Sequence, residues 1–231
     1  MNARIGIGVL VTALFALGPA CSDDTEPVGP EPEPVCAVYG DPLATQLVPY
    51  PSDRLTIEDP STATGLRVNV SPETTGDLFI AAYPLVVQRF SEMDGFSTAG
   101  GIMIGFDQPI DGALFAGPQG GTDVLELDPD AFATRESPVV LVDVDPDSPE
   151  RGKAFGLLPR YFEQAKDDYY PIDEFTIVAR PAEPLAPGRR YLFAATTKVK
   201  DQLGRPVEPT EETRALVAGE ANDAYGAKVL D

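Results

Sequence analysis

The chain has 231 residues and a net charge of −20, from 17 basic and 37 acidic residues, and it contains no histidine. A surface this acidic excludes the clustered Lys and Arg that nucleic-acid binding needs. The missing histidine excludes Ser-His-Asp and Cys-His catalysis and a His-based zinc centre. Hydrophobic residues make up 43% and include 11 Phe and 8 Tyr, enough for a packed core, while 24 Pro and 21 Gly favour many short elements over long helices.

Residues 1–20 read as a secretion signal. Arg4 is their only charge, and residues 5–17 form an uncharged stretch, the length of a signal h-region and too short to span a bilayer core, which needs about 20 helical residues. Gly18-Pro19-Ala20 then places small residues before Cys21. The block resembles a bacterial lipoprotein signal, which implies lipidation of Cys21 and, from Ser22, sorting to the outer membrane. It departs from that pattern where Gly18 stands in the usual place of Leu, with Leu17 one residue earlier. Gly18 and Ala20 equally satisfy an ordinary signal-peptidase cut, which would release a soluble protein beginning at Cys21. Cys36 separates the two readings: with Cys21 unmodified, a Cys21–Cys36 disulfide would close a small loop in an oxidising compartment.

Residues 21–36 form an acidic tether. Pro27, Pro30, Pro32 and Pro34 alternate with Glu26, Glu31 and Glu33, with no basic residue between. Such a segment is extended at about 3.1 Å per residue and reaches roughly 40 Å.

A mainly β domain is expected over residues 37–208. Turn-forming residues 48–53 open it, and residues 55–58 and 66–70 alternate as half-buried strands do. A helix lies within residues 77–93, with apolar positions spaced by three and four, Pro84 in its first turn and Gly95 as its stop. Strands are expected at 101–106, 122–127, 138–144, 154–158, 174–180 and 190–197, with turns at 145–149, 184–188 and 202–205. Repeated short strands bounded by such turns describe a β-sandwich. Thr210 is placed to cap a short helix at 211–217, inside a helical C-terminal extension over 209–231.

Two stretches carry a family resemblance. Val48-Pro49-Tyr50-Pro51-Ser52-Asp53 and Asp94-Gly95-Phe96-Ser97-Thr98 resemble the N-terminal domain of the bacterial virulence-factor lipase family, with Ser52 where that family usually has Asn. Residues 184–191, with Pro187-Gly188 and Tyr191, and residues 198–207, with Lys200-Asp201 and Gly204, resemble the closing hairpin of bacterial Ig-like domains. The resemblance covers residues 48–219. It implies an Ig-like β-sandwich and, in the family, a following α/β-hydrolase domain. No Gly-x-Ser-x-Gly elbow occurs here, so no catalytic residue carries over. The hydrolase would lie beyond Asp231 or be lost by truncation.

Three sets rich in acids are candidate sites. Asp143, Asp145 and Asp147 have the spacing that opens an EF-hand, but Ser148 stands where Gly is required and Ala154 where the bidentate Glu belongs. These alternate acids are expected to face solvent. Glu126, Asp128 and Asp130 offer carboxylates for glycoside hydrolysis with nothing to set their separation. Asp167, Asp168, Tyr169 and Tyr170 mix acids and aromatics in what reads as an exposed loop. The expectation is a non-catalytic, cofactor-free envelope lipoprotein, membrane-bound through Cys21 and carrying a binding or spacer module. Its alternatives are the accessory domain of a lipase-like hydrolase and a calcium- or carbohydrate-binding surface module.

Overall fold

The computed structural model describes residues 32–38, 49–71, 77–116, 127–168, 170–220 and 226–227, with the side chains of 77–79 and 212 left aside. The chain divides into two units, Met1–Glu33 and Pro34–Asp231, and the second contains all the elements below. Cys21, Glu126, Tyr169 and all but the last residue of the strand expected at 122–127 lie outside the described residues.

The second unit is mainly β with a few short helices. Its strands are β1 (Ala37–Val38), β2 (Thr56–Glu58), β3 (Leu66–Val68), β4 (Ile102–Phe106), β5 (Val139–Asp143), β6 (Leu157–Gln164), β7 (Glu174–Pro181) and β8 (Tyr191–Ala195). Its helices are α1 (Asp77–Ala82), α2 (Pro84–Phe90) and α3 (Glu211–Val217). These strands pair antiparallel, in a four-stranded sheet of order β1-β4-β7-β6 and two-stranded sheets β2-β3 and β5-β8.

Period-two alternation explains the core. Ile102, Ile104 and Phe106 of β4 sit opposite Ala179, Ile177 and Phe175 of β7 and share one face of the sheet. Leu157 of β6 joins them, and Val139 and Leu141 of β5 meet them from the second sheet with Phe193 and Ala195 of β8 packed alongside. Two antiparallel sheets enclosing one apolar layer are consistent with a β-sandwich.

A smaller cluster forms beside this core. Leu55, Val68 and Val70 are buried against Tyr50, Val87, Phe90, Met93 and Phe96. The β2-β3 hairpin is therefore roofed by α2. Pro84 occupies the first turn of α2 as expected, because its missing N–H is one that the helix start leaves unpaired anyway.

Several boundaries differ from the sequence reading. The helical region is two helices broken before Pro84, and α2 ends at Ser91, whose N–H reaches Val87 O at 3.2 Å, rather than at Gly95. The strand expected at 154–158 instead runs from Leu157 to Gln164, in continuous register with β7. Ala154 contributes only a bridge to Val142. Pro159 and Glu163 disguised this strand in sequence. Pro159 is tolerated because β6 is the last strand of its sheet, where a residue lacking N–H removes no ladder bond. Two turn glycines behave as anticipated: Gly188 and Gly204 have φ of +68° and +79°, values that disfavour any side chain with a Cβ. Thr210 caps α3, its side chain accepting a hydrogen bond from the Thr213 amide.

The chain enters and leaves this β unit side by side. Cys36 and Glu208 form a parallel bridge, with Glu208 N donating to Val35 O at 2.8 Å. The Cys36 amide donates to Asp107 Oδ1 at 2.8 Å, and the Asp107 amide returns to Cys36 O at 3.0 Å.

Candidate functional site

The motif segments separated in sequence meet in space. Tyr50, from the opening motif, lies with its ring 5.5 Å from that of Phe96 in an edge-on contact and 5.8 Å from that of Phe90. Its backbone forms an isolated antiparallel bridge to Met103 of β4. Burial pushes the Tyr50 phenol above its ordinary pKa. Next to Phe96, the Thr98 carbonyl accepts from the Leu185 amide at 2.9 Å. The Asp94–Thr98 run thus links the β2-β3/α2 cluster to the turn that leads into β8. Tyr50 is the titratable side chain set at this junction, and its contacts there are ring packing and backbone pairing.

At the turn before β8, the Tyr191 hydroxyl accepts from the Ala186 amide at 3.0 Å. Burial pushes the Tyr191 phenol up, and the Ala186 amide partly offsets that. In the next hairpin Asp201 is 3% exposed, and its Oδ1 accepts from the amides of Leu203 and Arg205 at 2.9 and 2.8 Å. Arg205 Nε donates to Asp201 Oδ2 at 2.7 Å. Burial acts to raise the Asp201 pKa, but the guanidinium and the two amides outweigh it, and the carboxyl stays below its ordinary value. The turn was legible in the sequence; the burial of its carboxylate and the Arg205 pairing were not.

The Asp143, Asp145 and Asp147 set is not the solvent-facing row expected from sequence. Asp143 is 1% exposed and Asp145 8%, and only Asp147 is exposed. Asp143 Oδ1 accepts from the Asp145 amide at 2.9 Å and Oδ2 from the Ser148 hydroxyl at 2.5 Å. Asp145 Oδ1 accepts from the Asp147 amide at 2.9 Å, and Oδ2 from the Arg190 amide at 3.2 Å. Arg189 Nη1 lies 3.4 Å from Asp145 Oδ1. The Asp147 amide leads in lowering the Asp145 pKa; burial opposes, and Arg190 and Arg189 add to the lowering. The carboxylates thus tie the 145–148 turn to the start of β8 instead of pointing at one shared centre. Among the described residues no group of three acidic, Cys or His side chains is placed to hold a metal ion.

The remaining acids are also spread over turns. Asp128 caps the short helical turn Pro129–Phe132, accepting from the Asp130 amide at 3.0 Å. Asp167 Oδ1 accepts from the Tyr170 amide at 2.9 Å, and Asp167 and Asp168 are exposed, as expected of a loop. The Cys36 sulfur is 3.9 Å from the Pro34 carbonyl oxygen.

Sequence reasoning also missed Asp59. Its carboxylate accepts from the Ser61 hydroxyl and from Arg67 Nε, both at 2.5 Å, and from the Ser61 amide at 2.9 Å. The Ser61 hydroxyl, then Arg67, then the Ser61 amide hold the Asp59 pKa to about 2. Asp59, Asp145 and Asp201 all have lowered pKa values when folded. The unfolded chain, with Asp near 3.9, therefore takes up protons first as pH falls. Their stabilisation is complete above about pH 5 and is lost towards about pH 2. The thermal midpoint, followed by circular dichroism, is expected to fall across that window, and Asp59→Asn to lower the neutral plateau and flatten the fall. A midpoint independent of pH from 5 to 2 would show that these bonds do not stabilise the fold.

Comparison with protein-family models, with curated proteins and with solved structures finds no match to this chain.

Proposed function

We propose that the protein is a non-catalytic cell-envelope lipoprotein in which an Ig-like β-sandwich acts as a binding or spacer module, tethered to the outer membrane through Cys21. The observation that carries this reading is the use of the buried carboxylates: Asp143, Asp145 and Asp201 bind the protein's own amides, hydroxyl and guanidinium groups, so they hold turns. With no histidine and no nucleophile elbow in the chain, what remains is a scaffold behind a signal and a proline-rich tether. Tyr191, at the start of β8, bonds its hydroxyl back to Ala186 in the turn five residues upstream, which supports the Ig-like assignment, since a tyrosine anchored to the preceding turn is a hallmark of such sandwiches.

A second reading, the N-terminal accessory domain of a lipase-like hydrolase, is favoured by one observation. The two segments carrying that resemblance, 48–53 and 94–98, pack together through Tyr50 with Phe96. A Gly-x-Ser-x-Gly reading frame in or next to the coding sequence after residue 231 would support it.

Anchoring is tested by replacing Cys21. The wild-type protein is expected in the membrane fraction with an acyl mass on Cys21, and Cys21→Ser in the soluble fraction. An unmodified Cys21 joined to Cys36 by a disulfide would sink the lipoprotein reading. Esterase activity in the purified chain would sink the non-catalytic one.

A further inference from the structure

The register of β6 on β7 settles where the main-chain groups of β6 point. The Ala182 amide donates to Gly156 O at 2.9 Å, so the even-numbered positions of β6 are the ones that bond across to β7. Pro159, with no N–H to give, falls at an alternate position that faces away from β7. The amides and carbonyls of Tyr161 and Glu163 face away from β7 for the same reason. β6 is the last strand of its sheet, and among the described residues no hydrogen bond reaches these four groups. Phe162 between them is 41% exposed, and Glu163 is exposed as well. The edge is therefore open to a further strand over this stretch.

Charge selects the occupant. Leu157, Ile177 and Ala179 point into the core, so Arg160 and Phe162 of β6 share the opposite face with Arg180 of β7. Arg160 sits opposite Val178, and Arg180 opposite Leu158, which sets the two arginines on a diagonal roughly 7–8 Å apart. The Arg160 guanidinium lies 5.0 Å from the centre of the Phe162 ring. The chain has 37 acids to 17 bases, and Arg67, Arg189, Arg205 and Arg214 each pair with a carboxylate. Among the described residues neither Arg160 nor Arg180 does. Two guanidiniums without a counter-charge, beside an open main-chain edge, match an extended segment that carries carboxylates. A second copy does not match: β6 paired with β6 would gather the arginines of both copies on one face, where like charges oppose pairing.

We propose that the open edge of β6 takes up an acidic peptide in extended conformation, which adds a strand to the four-stranded sheet and sets its carboxylates against Arg160 and Arg180. Main-chain bonds to Tyr161 and Glu163 fix the pairing, and the two guanidiniums select the charge. The negative charge of the whole chain repels such a partner at long range, but at about 0.15 M salt that field is screened beyond about 8 Å, so the arginines at the contact decide. The inference rests on the non-catalytic binding-module reading, to which it gives a partner class, and is independent of the anchor.

The probe is a synthetic Glu-Val-Glu-Val-Glu-Val-Glu peptide with a fluorophore at its N-terminus, titrated into the full protein and followed by anisotropy. Its counterpart with Lys in place of Glu is the charge control. The Glu peptide is expected to bind and the Lys peptide not to. Saturating Glu peptide is expected to slow hydrogen exchange at the Tyr161 and Glu163 amides at least about tenfold, with the β2-β3 hairpin unchanged. Arg160→Gln with Arg180→Gln, both on the outer face, is expected to weaken binding roughly 2- to 30-fold and leave the thermal midpoint in place. Absence of binding up to about 1 mM peptide, equal binding of the Lys peptide, or binding that leaves the two amides unprotected would each overturn the proposal. So would polygalacturonate that binds with the same arginine dependence where the peptide does not, which would assign the face to an anionic glycan. A dimer that protects the same two amides without peptide would assign the edge to a second copy and overturn it as well. The underlying reading is scored separately: esterase activity in the purified chain would reject it whatever the peptide does, and a failed titration in an inactive chain would reject the acidic strand alone.

Discussion

Ile177→Ala is expected to lower the unfolding free energy by roughly 2–5 kcal/mol, the largest stability effect we anticipate from one substitution. Ile177 is fully buried at the middle of β7, opposite Ile104 of β4 and Tyr161 of β6. Its side chain lies where the four-stranded sheet meets Leu141 and Val139 of the second sheet. Truncation removes apolar burial and leaves a void that two hydrogen-bonded ladders on either side prevent from collapsing. In a domain of this size about 1 kcal/mol moves the thermal midpoint by ~2–4 °C, so the fall should be roughly 4–20 °C. Leu192→Ala is the control: Leu192, on β8 next in sequence to core-lining residues, is 47% exposed, and its loss should shift stability by no more than about 0.5 kcal/mol. Equal effects from the two would mean that the β7 face is not the centre of the core.

The second prediction concerns Asp143. Asp143→Ala should destabilise by roughly 2–4 kcal/mol, because two donors that it satisfies, the Asp145 amide and the Ser148 hydroxyl, are left without their acceptor, at about 1–3 kcal/mol each where burial is complete. Asp143→Asn keeps an acceptor for the Asp145 amide and should cost less. Calcium discriminates a structural role from an ion-binding one. At about 10 mM, above the ~10⁻⁴–10⁻³ M dissociation constants of extracellular calcium modules, the melting temperature of the wild type and of the Ala variant should each be unchanged. A calcium-dependent rise in the wild type that the variant lacks would make the Asp143 turn an ion site and end the structural reading.

Much of the mainly β architecture was legible because its evidence is local. The alternation Ile102, Ile104, Phe106 announces a strand with one buried face, and Pro84 and Thr210 mark helix starts through chemistry confined to a single turn. The sequence reading ends this strand at Leu158 because Pro159 follows at once and the segment closes on polar Glu163 and Gln164; its pairing with β7 outweighs that composition. The stop assigned to Gly95 failed because α2 ends earlier, with the chain turning so that Met93 and Phe96 reach the small core.

The acids show the same division more sharply. In sequence, Asp143 and Asp145 were alternate acids at a strand end, and nothing beside them indicated burial. What buries them is the 145–148 turn folding back and Arg189 and Arg190 arriving from more than forty residues away. Sequence by itself determined the acidic charge balance, the mainly β character and the exclusion of histidine chemistry, since each depends on residue identity and near-neighbour spacing. Only the tertiary structure decided which strands pair, that the motifs around Tyr50, Phe96 and Leu185 meet, and that the buried carboxylates serve turns, because a carboxylate's role depends on which donors the fold brings to it.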